Sequence, residues 1–438
     1  MYKYYFQIIT VLLSVVLFSC NRGNVQGSSN SAANLGIETQ ERAVSDTHAI
    51  SNTDPSNSQW RGNGRDGVYN ETGLLKEWPE GGPQLLWSYE GIGEGFSSAA
   101  ISDGNLYITG LSGNNLILYV FDLNGQLLNR KEVGREESNN YPGPRSTLTI
   151  NDGKLYIYNA FGRLVCLDKT TLNEVWSKEI IAEFNGRIAE WGMNESPLIV
   201  GDKLFITPGG VQNNVVALNK NTGATIWTSA GRGSEATYCS PMYISGYSVP
   251  ILVTSTAEYI IALNADTGEN LWSFQRTNQY NIHPNTPIYH NGMIFATTGY
   301  GGGSVMLRLI DDGKAVELAW RNNNLDNQMG GAIRIGNYIY AGGHNNNNFF
   351  CIDWNTGETI YRTTSVGRSN IITADGMLYC YSERGNMYLV RPNSESFDLA
   401  SSFRVTLGTN QHWAHTVIHN GVLYIRHGDA LMAYRVKE

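Results

Sequence analysis

The sequence predicts an all-β fold, an eight-bladed β-propeller made of four-stranded antiparallel blades. Two observations on the 438-residue chain carry this prediction. Its 48 glycines and 25 tyrosines supply turn formers and strand-favouring aromatic residues in high number. In addition, a turn followed by a short apolar strand recurs eight times, roughly every 40 to 50 residues, which is the period of propeller blades.

The first recurring element is an Asp-Gly or Asn-Gly pair, or a close variant, followed by a strand with one aromatic residue. Glycine adopts the positive φ that a tight hairpin turn requires, so each pair predicts a hairpin. Seven copies carry the aromatic residue, and Leu252 stands in its place in a degenerate copy. These positions are Tyr107, Tyr156, Phe205, Leu252, Phe295, Tyr340, Tyr379 and Tyr424.

The second recurring element is an apolar strand, a Thr-Gly turn and a strand with a large aromatic residue. It is clear at residues 217–227, 262–272 and 351–361, and weaker at 166–176, where Leu172 stands in place of glycine. Each unit therefore predicts strands A to D. The A–B and C–D turns share one face of the propeller, and the B–C loops and D–A connections share the other.

The way in which the ring closes follows from counting strands. Residues 85–89 form a D-type strand with no A, B or C strand before it. The last unit ends with the strand at 431–436 and has no D strand. We predict that the N-terminal strand completes the last blade, which closes the ring and removes an exposed edge.

Residues 1–20 predict a lipoprotein signal peptide. An apolar run at 6–18 is too short to span a membrane, which takes about 20 residues. Residues 17–20 resemble the bacterial lipobox, so Cys20 is the expected lipidated residue and membrane anchor. The alternative is a plain cleaved signal. Residues 21–58 are rich in small polar residues and predict a flexible tether, and residues 59–438 predict the propeller.

The unit at 262–272, Ala-Leu-Asn-Ala-Asp-Thr-Gly-Glu-Asn-Leu-Trp, resembles the tryptophan-docking repeat of the PQQ-like (quinoprotein-type) β-propellers. Residues 60–67 and 74–78 resemble the start of bacterial PQQ-binding-like repeat proteins. The family includes quinoprotein alcohol dehydrogenases and a non-catalytic member, the propeller lipoprotein of the outer-membrane β-barrel assembly machine. The resemblance implies a propeller over 59–438 and an outer-membrane lipoprotein that faces the periplasm.

The same resemblance implies what a catalytic member would contain: an adjacent Cys-Cys pair against the quinone, an Asp base and a Glu/Asn pair that holds Ca²⁺. No Cys-Cys pair occurs in the sequence, and Cys166 and Cys351 occupy equivalent packing positions. We therefore expect no cofactor and a non-catalytic binding or scaffold protein. The alternative is a divergent PQQ-dependent alcohol or sugar dehydrogenase with PQQ and Ca²⁺. The net charge of −8 and the lack of a basic patch exclude nucleic acid as a partner.

The D–A connections should surround the central funnel, where a protein partner or a small polar-aromatic ligand would bind. Aromatic rings there offer flat apolar faces, and charged or amide groups orient a ligand. The candidate residues are Arg145, Trp191, Glu195, Tyr238, His283, Asn285, Arg368, His412 and Trp413. The alternative is that they pack and cap neighbouring blades. A metal site is not expected, because His412, His415 and His283 lack a matching carboxylate pattern.

We expect the Cys20→Ala variant to leave the membrane fraction, because the lipobox cysteine is the only lipid attachment site that the sequence predicts. Cell fractionation and immunoblotting of the variant beside the wild type would measure this. A variant that sediments with membranes as firmly as the wild type would contradict the prediction.

Overall fold

In the computed structural model, which describes residues 57–438, the Asp-Gly and Asn-Gly pairs form tight hairpin turns. The φ angles are 49° at Asp103 and 74° at Gly104, and 50° at Asn420 and 73° at Gly421. Two successive left-handed residues are what a type I′ turn requires, and such a turn matches the twist of the strands on either side. Each pair therefore joins the innermost strand of a blade to the next strand outward.

Two strands, β1 (Val68–Tyr69) and β2 (Leu85–Glu90), precede the first blade. Blade 1 contains β3 (Ala100–Ser102), β4 (Asn105–Ser112), β5 (Asn115–Asp122) and β6 (Leu127–Arg135). Blade 2 contains β7 (Thr149–Asn151), β8 (Lys154–Tyr158), β9 (Arg163–Asp168) and β10 (Glu174–Glu179), followed by the short helix α1 (Ile180–Glu183). Blade 3 contains β11 (Leu198–Val200), β12 (Lys203–Ile206), β13 (Val215–Asn219) and β14 (Thr225–Ser229). Blade 4 contains β15 (Met242–Ile244), β16 (Ile251–Ser255), β17 (Tyr259–Asn264) and β18 (Asn270–Gln275).

The second half repeats the same plan. Blade 5 contains β19 (Ile288–His290), β20 (Met293–Thr297), β21 (Ser304–Ile310) and β22 (Ala315–Asn322). Blade 6 contains β23 (Ala332–Ile335), β24 (Tyr338–Gly342), β25 (Phe349–Asp353) and β26 (Thr359–Thr363). Blade 7 contains β27 (Ser369–Ala374), β28 (Met377–Ser382), β29 (Asn386–Arg391) and β30 (Asp398–Arg404). Blade 8 contains β31 (Val417–His419), β32 (Val422–His427) and β33 (Ala430–Arg435).

Strand β2 supplies the missing outer strand of blade 8. It pairs antiparallel with β33, so that Leu85 lies opposite Tyr434 and Glu90 opposite Ala430. The eight sheets thus form a closed ring, and the predicted eight-bladed propeller is confirmed. The sequence did not predict β1, which adds a fifth, parallel strand to the inner edge of blade 7.

At four of the eight interfaces between blades, a tryptophan of one blade packs on a glycine of the next. On β14, Trp227 donates a hydrogen bond from Nε1 to the carbonyl of Ala265 in the next blade, over 3.1 Å. A Cβ built on Gly268 would lie 2.6 Å from the Trp227 ring, so the Thr-Gly turn needs glycine there. The same contact recurs with Trp87 on Gly125, Trp176 on Gly223 and Trp320 on Gly357. The repeat motif is therefore the interface between blades.

The chain from residue 57 to residue 67 lies along the propeller axis against the innermost strands. The carbonyls of Asn57 and Ser58 accept hydrogen bonds from the backbone of blades 1 and 2. Arg61 donates to the carbonyl of Ala332 over 3.0 Å, and Arg65 to that of Ser196 over 2.7 Å. We call residues 57–67 the axial segment. Its first two residues fall within the predicted tether but already contact the propeller.

The predicted signal peptide, Cys20 and the tether up to residue 56 lie outside the described residues. Within residues 57–438, no helix is long and apolar enough to cross a bilayer. Cys166, Cys239, Cys351 and Cys380 are buried as free thiols, and Cys166 and Cys351 belong to the apolar clusters of their blades. These two cysteines therefore contribute to packing.

Deleting residues 57–90 should cause aggregation and the loss of cooperative unfolding, because β33 becomes an exposed edge and the contact of Trp87 with Gly125 disappears. Deleting residues 21–56 should leave the melting temperature nearly unchanged. Size-exclusion chromatography and thermal unfolding would measure both products. A monomeric, cooperatively unfolding protein from the first deletion would show that β2 is not needed for closure.

Candidate functional site

All eight D–A connections contribute to one cavity of about 350 Å³ at the propeller axis. Two B–C loops and the axial segment add residues to its wall. The lining residues are Trp60, Phe96, Tyr141, Arg145, Trp191, Asn194, Ser196, Tyr238, Ser240, Ile282, Pro284, Tyr300, Gln328, Met329, His344, Arg368, Trp413 and His415. The volume and the mixture of rings with a few polar groups are typical of a small-molecule site.

Four aromatic rings form a continuous arc along one side of the cavity. The ring centroids of Phe96 and Trp413 are 5.2 Å apart, those of Trp413 and Tyr141 are 5.0 Å apart, and those of Tyr141 and Trp191 are 5.6 Å apart. Tilted and edge-on contacts of this kind stabilise the rings against one another. We call these four residues the aromatic arc. It presents a preformed apolar surface to the cavity.

Three tyrosines of the cavity wall have a left-handed backbone. The φ angles are 50° at Tyr141, 71° at Tyr238 and 57° at Tyr300. No other aromatic residue in the described part of the chain has a positive φ. A bulky residue in this region costs about 1–3 kcal/mol, and such strain concentrates at functional sites.

The axial segment forms the floor of the cavity. The Trp60 ring meets His415 edge-on at 5.4 Å, and Nη1 of Arg61 donates to Nδ1 of His415 over 3.2 Å. Since Nδ1 accepts, Nε2 carries the proton and donates to the carbonyl of Met329 over 3.1 Å. Burial, together with the Arg61 charge, lowers the pKa of His415 to about 3. His415 is therefore a neutral structural link between the floor and the wall.

One wall is a hydrogen-bonded network around Arg368. Nε of Arg368 lies 2.8 Å from Oε1 of Glu383, which also accepts from Nε1 of Trp413 over 2.8 Å. Arg368 also donates to Gln328, which in turn donates to the Tyr300 hydroxyl over 2.5 Å. Burial raises the pKa of Glu383, and the Arg368 charge opposes that rise. The network holds Trp413 and Tyr300 in place and pairs the Arg368 charge.

Five of the nine residues predicted for the funnel line the cavity. They are Arg145, Trp191, Tyr238, Arg368 and Trp413. The other four, Glu195, His283, Asn285 and His412, lie outside its wall.

Two of these four hold the loops behind the cavity in place. Glu195 is 2% exposed and accepts from the backbone of Thr207 over 2.9 Å. His283 is bonded to Thr298 over 3.0 Å and to the carbonyl of Ala257 over 3.1 Å. All four residues lie in D–A connections, as predicted. The direction of the backbone alone does not determine which way a side chain points, and these four side chains lie outside the cavity wall.

The two remaining residues also make structural contacts. Asn285 donates to the carbonyl of Asn327 over 2.7 Å and accepts from Gly331 over 3.1 Å, which ties two D–A connections together. The ring of His412 stacks on His427 at 3.6 Å, between blades 7 and 8. Both residues therefore pack neighbouring blades.

Some cavity residues that come from other parts of the chain were not predicted from the sequence. Trp60 lies in the axial segment, and Tyr300 and His344 lie in B–C loops that bend over the axis. Tyr300 follows Gly299 in a glycine-rich loop, and His344 follows Gly343. Glycine-rich loops on the funnel face were visible in the sequence, but their approach to the axis was not.

The cavity does not offer the ligands that Ca²⁺ prefers. Ca²⁺ takes several oxygen ligands with carboxylates among them, but no Asp or Glu lines the wall. Within residues 57–438, no group of three His, Cys, Asp or Glu side chains is placed to hold a metal. Burial raises the pKa of Glu195 to about 8, so it is largely protonated at neutral pH. The residues present do not fit the Ca²⁺ site of a quinoprotein dehydrogenase.

Comparison with known proteins agrees with the fold. Residues 67–192 and 189–397 match the family model described as outer membrane protein assembly factor BamB. A quinoprotein ethanol dehydrogenase of Pseudomonas aeruginosa is 30% identical over 142 residues, which is 30% of this chain and 22% of that enzyme. The chain thus matches about a fifth of the length of that relative.

Two solved structures show the same fold. BamB from Moraxella catarrhalis superimposes with a TM-score of 0.60 and 14% identity, covering 81% of this chain and 99% of that one. A quinohemoprotein alcohol dehydrogenase from Comamonas testosteroni gives a TM-score of 0.63 and 12% identity, covering 88% and 81%. At these identities the likeness concerns the propeller alone.

Glu195→Gln should reduce the loss of stability that occurs as the pH rises from about 4.5 to about 8. Because the folded-state pKa of Glu195 is raised to about 8, its stabilisation is complete below the unfolded value near 4.5 and is lost as pH rises through about 8. The melting temperature of the wild type should therefore fall between about pH 4.5 and pH 8. Glu195→Gln should show a smaller fall, and the exposed-site control Glu269→Gln should follow the wild type. Equal slopes for all three proteins would refute this role of Glu195.

Proposed function

Because the chain belongs to the family of outer membrane protein assembly factor BamB, we propose that it is a non-catalytic binding propeller of the cell envelope. Its axial cavity receives a small ligand that has ring faces and polar groups. A lipid at Cys20 and the tether behind it hold the propeller at the outer membrane, facing the periplasm. Residues 57 and 58 join that tether directly to the axis.

The strained tyrosines are the observation that carries this proposal. Gly or Asn would satisfy a left-handed backbone at little cost, yet Tyr141, Tyr238 and Tyr300 occupy these positions. All three side chains line the same cavity, although they lie in three different inter-strand connections. Strain that recurs at a single cavity is better explained by what the rings contact than by the needs of folding.

The wall also supports binding rather than chemistry. Both imidazoles of the lining, His344 and His415, have a lowered pKa, and burial is the main cause in each. No carboxylate lines the wall to act as a general base. Aromatic rings, amides, hydroxyls and the guanidinium groups of Arg145 and Arg368 remain, and these groups recognise a ligand by stacking and hydrogen bonding.

A divergent PQQ-dependent dehydrogenase is the second candidate. The segment that is 30% identical to a quinoprotein ethanol dehydrogenase favours it. The lack of a carboxylate in the wall, and hence of a Ca²⁺ ligand set, disfavours it. The two candidates differ in one assay: the protein loaded with PQQ and Ca²⁺ either does or does not reduce an artificial dye with alcohols or sugars as donors.

We expect Trp191→Ala and Trp413→Ala to abolish ligand binding with little change in melting temperature, since both side chains are half-buried at the cavity. Tryptophan fluorescence titrations against a panel of sugars, quinones and envelope extracts would measure binding. Trp227→Ala is the matched control, because it removes an interblade contact and should cost about 3–5 kcal/mol of stability.

Two results would count against the proposed function. The first is that the two cavity variants bind as the wild type does or melt as low as Trp227→Ala, in which case the rings are structural. The second is dye reduction that depends on PQQ and on a donor alcohol or sugar, in which case the protein is an enzyme.

A further inference from the structure

The positive charges of the two guanidinium groups in the cavity wall are balanced differently. Arg368 is paired with Glu383, at 2.8 Å. Arg145 forms no ion pair with a carboxylate in the described chain, and Nη2 donates instead to the carbonyls of Asn140 and Tyr141, over 2.6 and 2.7 Å. With no carboxylate in the wall itself, the cavity carries the unpaired positive charge of Arg145.

The acidic side chains near Arg145 act on its charge from a distance and form no ion pair with it. Burial raises the pKa of Glu136 to about 7, although two backbone hydrogen bonds and the Arg145 charge oppose the shift. Glu136 is therefore partly protonated near neutral pH. Glu137 accepts from the backbone amides of Asn139 and Asn140, over 2.7 and 3.3 Å, and these bonds lower its pKa and keep it ionised. Its charge offsets part of the Arg145 charge without contacting the guanidinium. The guanidinium remains available to an anion that enters the cavity.

Apart from Nε of Arg368, which faces Glu383, two polar atoms of lining residues are buried without a hydrogen-bond partner among residues 57–438. One is a donor, Nη1 of Arg145, and the other is an acceptor, Oδ1 of Asn194. A buried polar atom without a partner costs about 1–3 kcal/mol. Both atoms are covered by protein, so a bound molecule that supplies the partner must draw the side chain of Arg145 or Asn194 towards the cavity that it lines. The complementary ligand carries an anionic acceptor and a hydroxyl or N–H donor.

The aromatic arc lines the same cavity as Arg145 and Asn194. Arg145 is bonded to the backbone of Tyr141, which belongs to the arc, and Asn194 follows three residues after Trp191. Flat aromatic faces pack against the C–H faces of sugar rings as well as against aromatic ligands. An aromatic acid without a hydroxyl or N–H group supplies the anion but no donor. A hydroxylated ring with a carboxylate supplies both.

Resting on the proposed function, we propose that the ligand of the axial cavity is an acidic sugar, a uronic acid or a short oligosaccharide that carries one. Its carboxylate pairs with Arg145, one hydroxyl donates to Asn194, and its ring stacks on the aromatic arc. A cavity of about 350 Å³ accommodates roughly one or two sugar rings.

Isothermal titration calorimetry with glucuronate- and galacturonate-containing disaccharides, each beside its uncharged counterpart, tests this assignment. The wild type should bind the acid at least about tenfold more tightly than the neutral sugar, which is the range of a charge-assisted hydrogen bond. Arg145→Gln should abolish this preference, and Arg145→Lys should restore part of it. Asn194→Leu should weaken acid and neutral sugar by a similar factor, because both carry the hydroxyl.

The control for overall charge is Arg130→Gln, an exposed position on β6, which should bind as the wild type does. Arg145→Lys keeps the charge, so it separates loss of the charge from misfolding of the Arg145→Gln variant. Equal affinity for acid and neutral sugar would overturn the acidic-sugar assignment and leave the binding function standing. Binding of neither sugar, with binding of a quinone or a protein instead, would overturn it as well. Unchanged sugar binding by Trp191→Ala and Trp413→Ala would overturn the cavity function itself.

Discussion

The propeller depends on the contact between a tryptophan of one blade and a glycine of the next. At Trp227 and Gly268, the indole occupies the space that any Cβ would fill, and its N–H satisfies a carbonyl of the neighbouring turn. Each contact fixes the angle between two blades and buries a large apolar ring. The ring closes where β2 pairs with β33 and Trp87 of β2 makes this contact with Gly125 of blade 1, although β2 is far from blade 8 in sequence. The cavity at the axis follows from this geometry, since the blade angles determine where the D–A connections converge.

The fold could be predicted from the sequence because it repeats. Turn pairs such as Asp103-Gly104 and the Thr-Gly units are local signals, and their period determined the number of blades. Strand β2 was also predictable, because an outer strand without a blade and a blade without an outer strand complete each other. Strand β1 was not predicted, because two residues carry no periodic pattern and its partner lies in blade 7.

The candidate site was predictable only in part, for a physical reason. The D–A connections were correctly expected at the funnel, but they also carry the residues that tie neighbouring connections together. Asn285 and Trp191 both lie in D–A connections, so the sequence does not distinguish them as candidates. In the structure, the Asn285 amide donates to two backbone carbonyls, whereas the Trp191 side chain lines the cavity. Trp60 could not be assigned to the floor of the cavity from the sequence, because nothing in the sequence shows that the axial segment lies along the propeller axis.

The axial segment also determines how the propeller responds to mechanical load. A force that reaches residue 57 along the chain enters at the propeller axis, where Asn57 and Ser58 are bonded to the innermost strands of blades 1 and 2 and Asn57 also to Ile418 in blade 8. Such a force shears several hydrogen bonds at once, whereas a pull on an outer strand would peel its bonds one after another. The side chains of Arg61 and Arg65 add hydrogen bonds to blades 6 and 3. Tension along the axial segment is therefore shared among five blades.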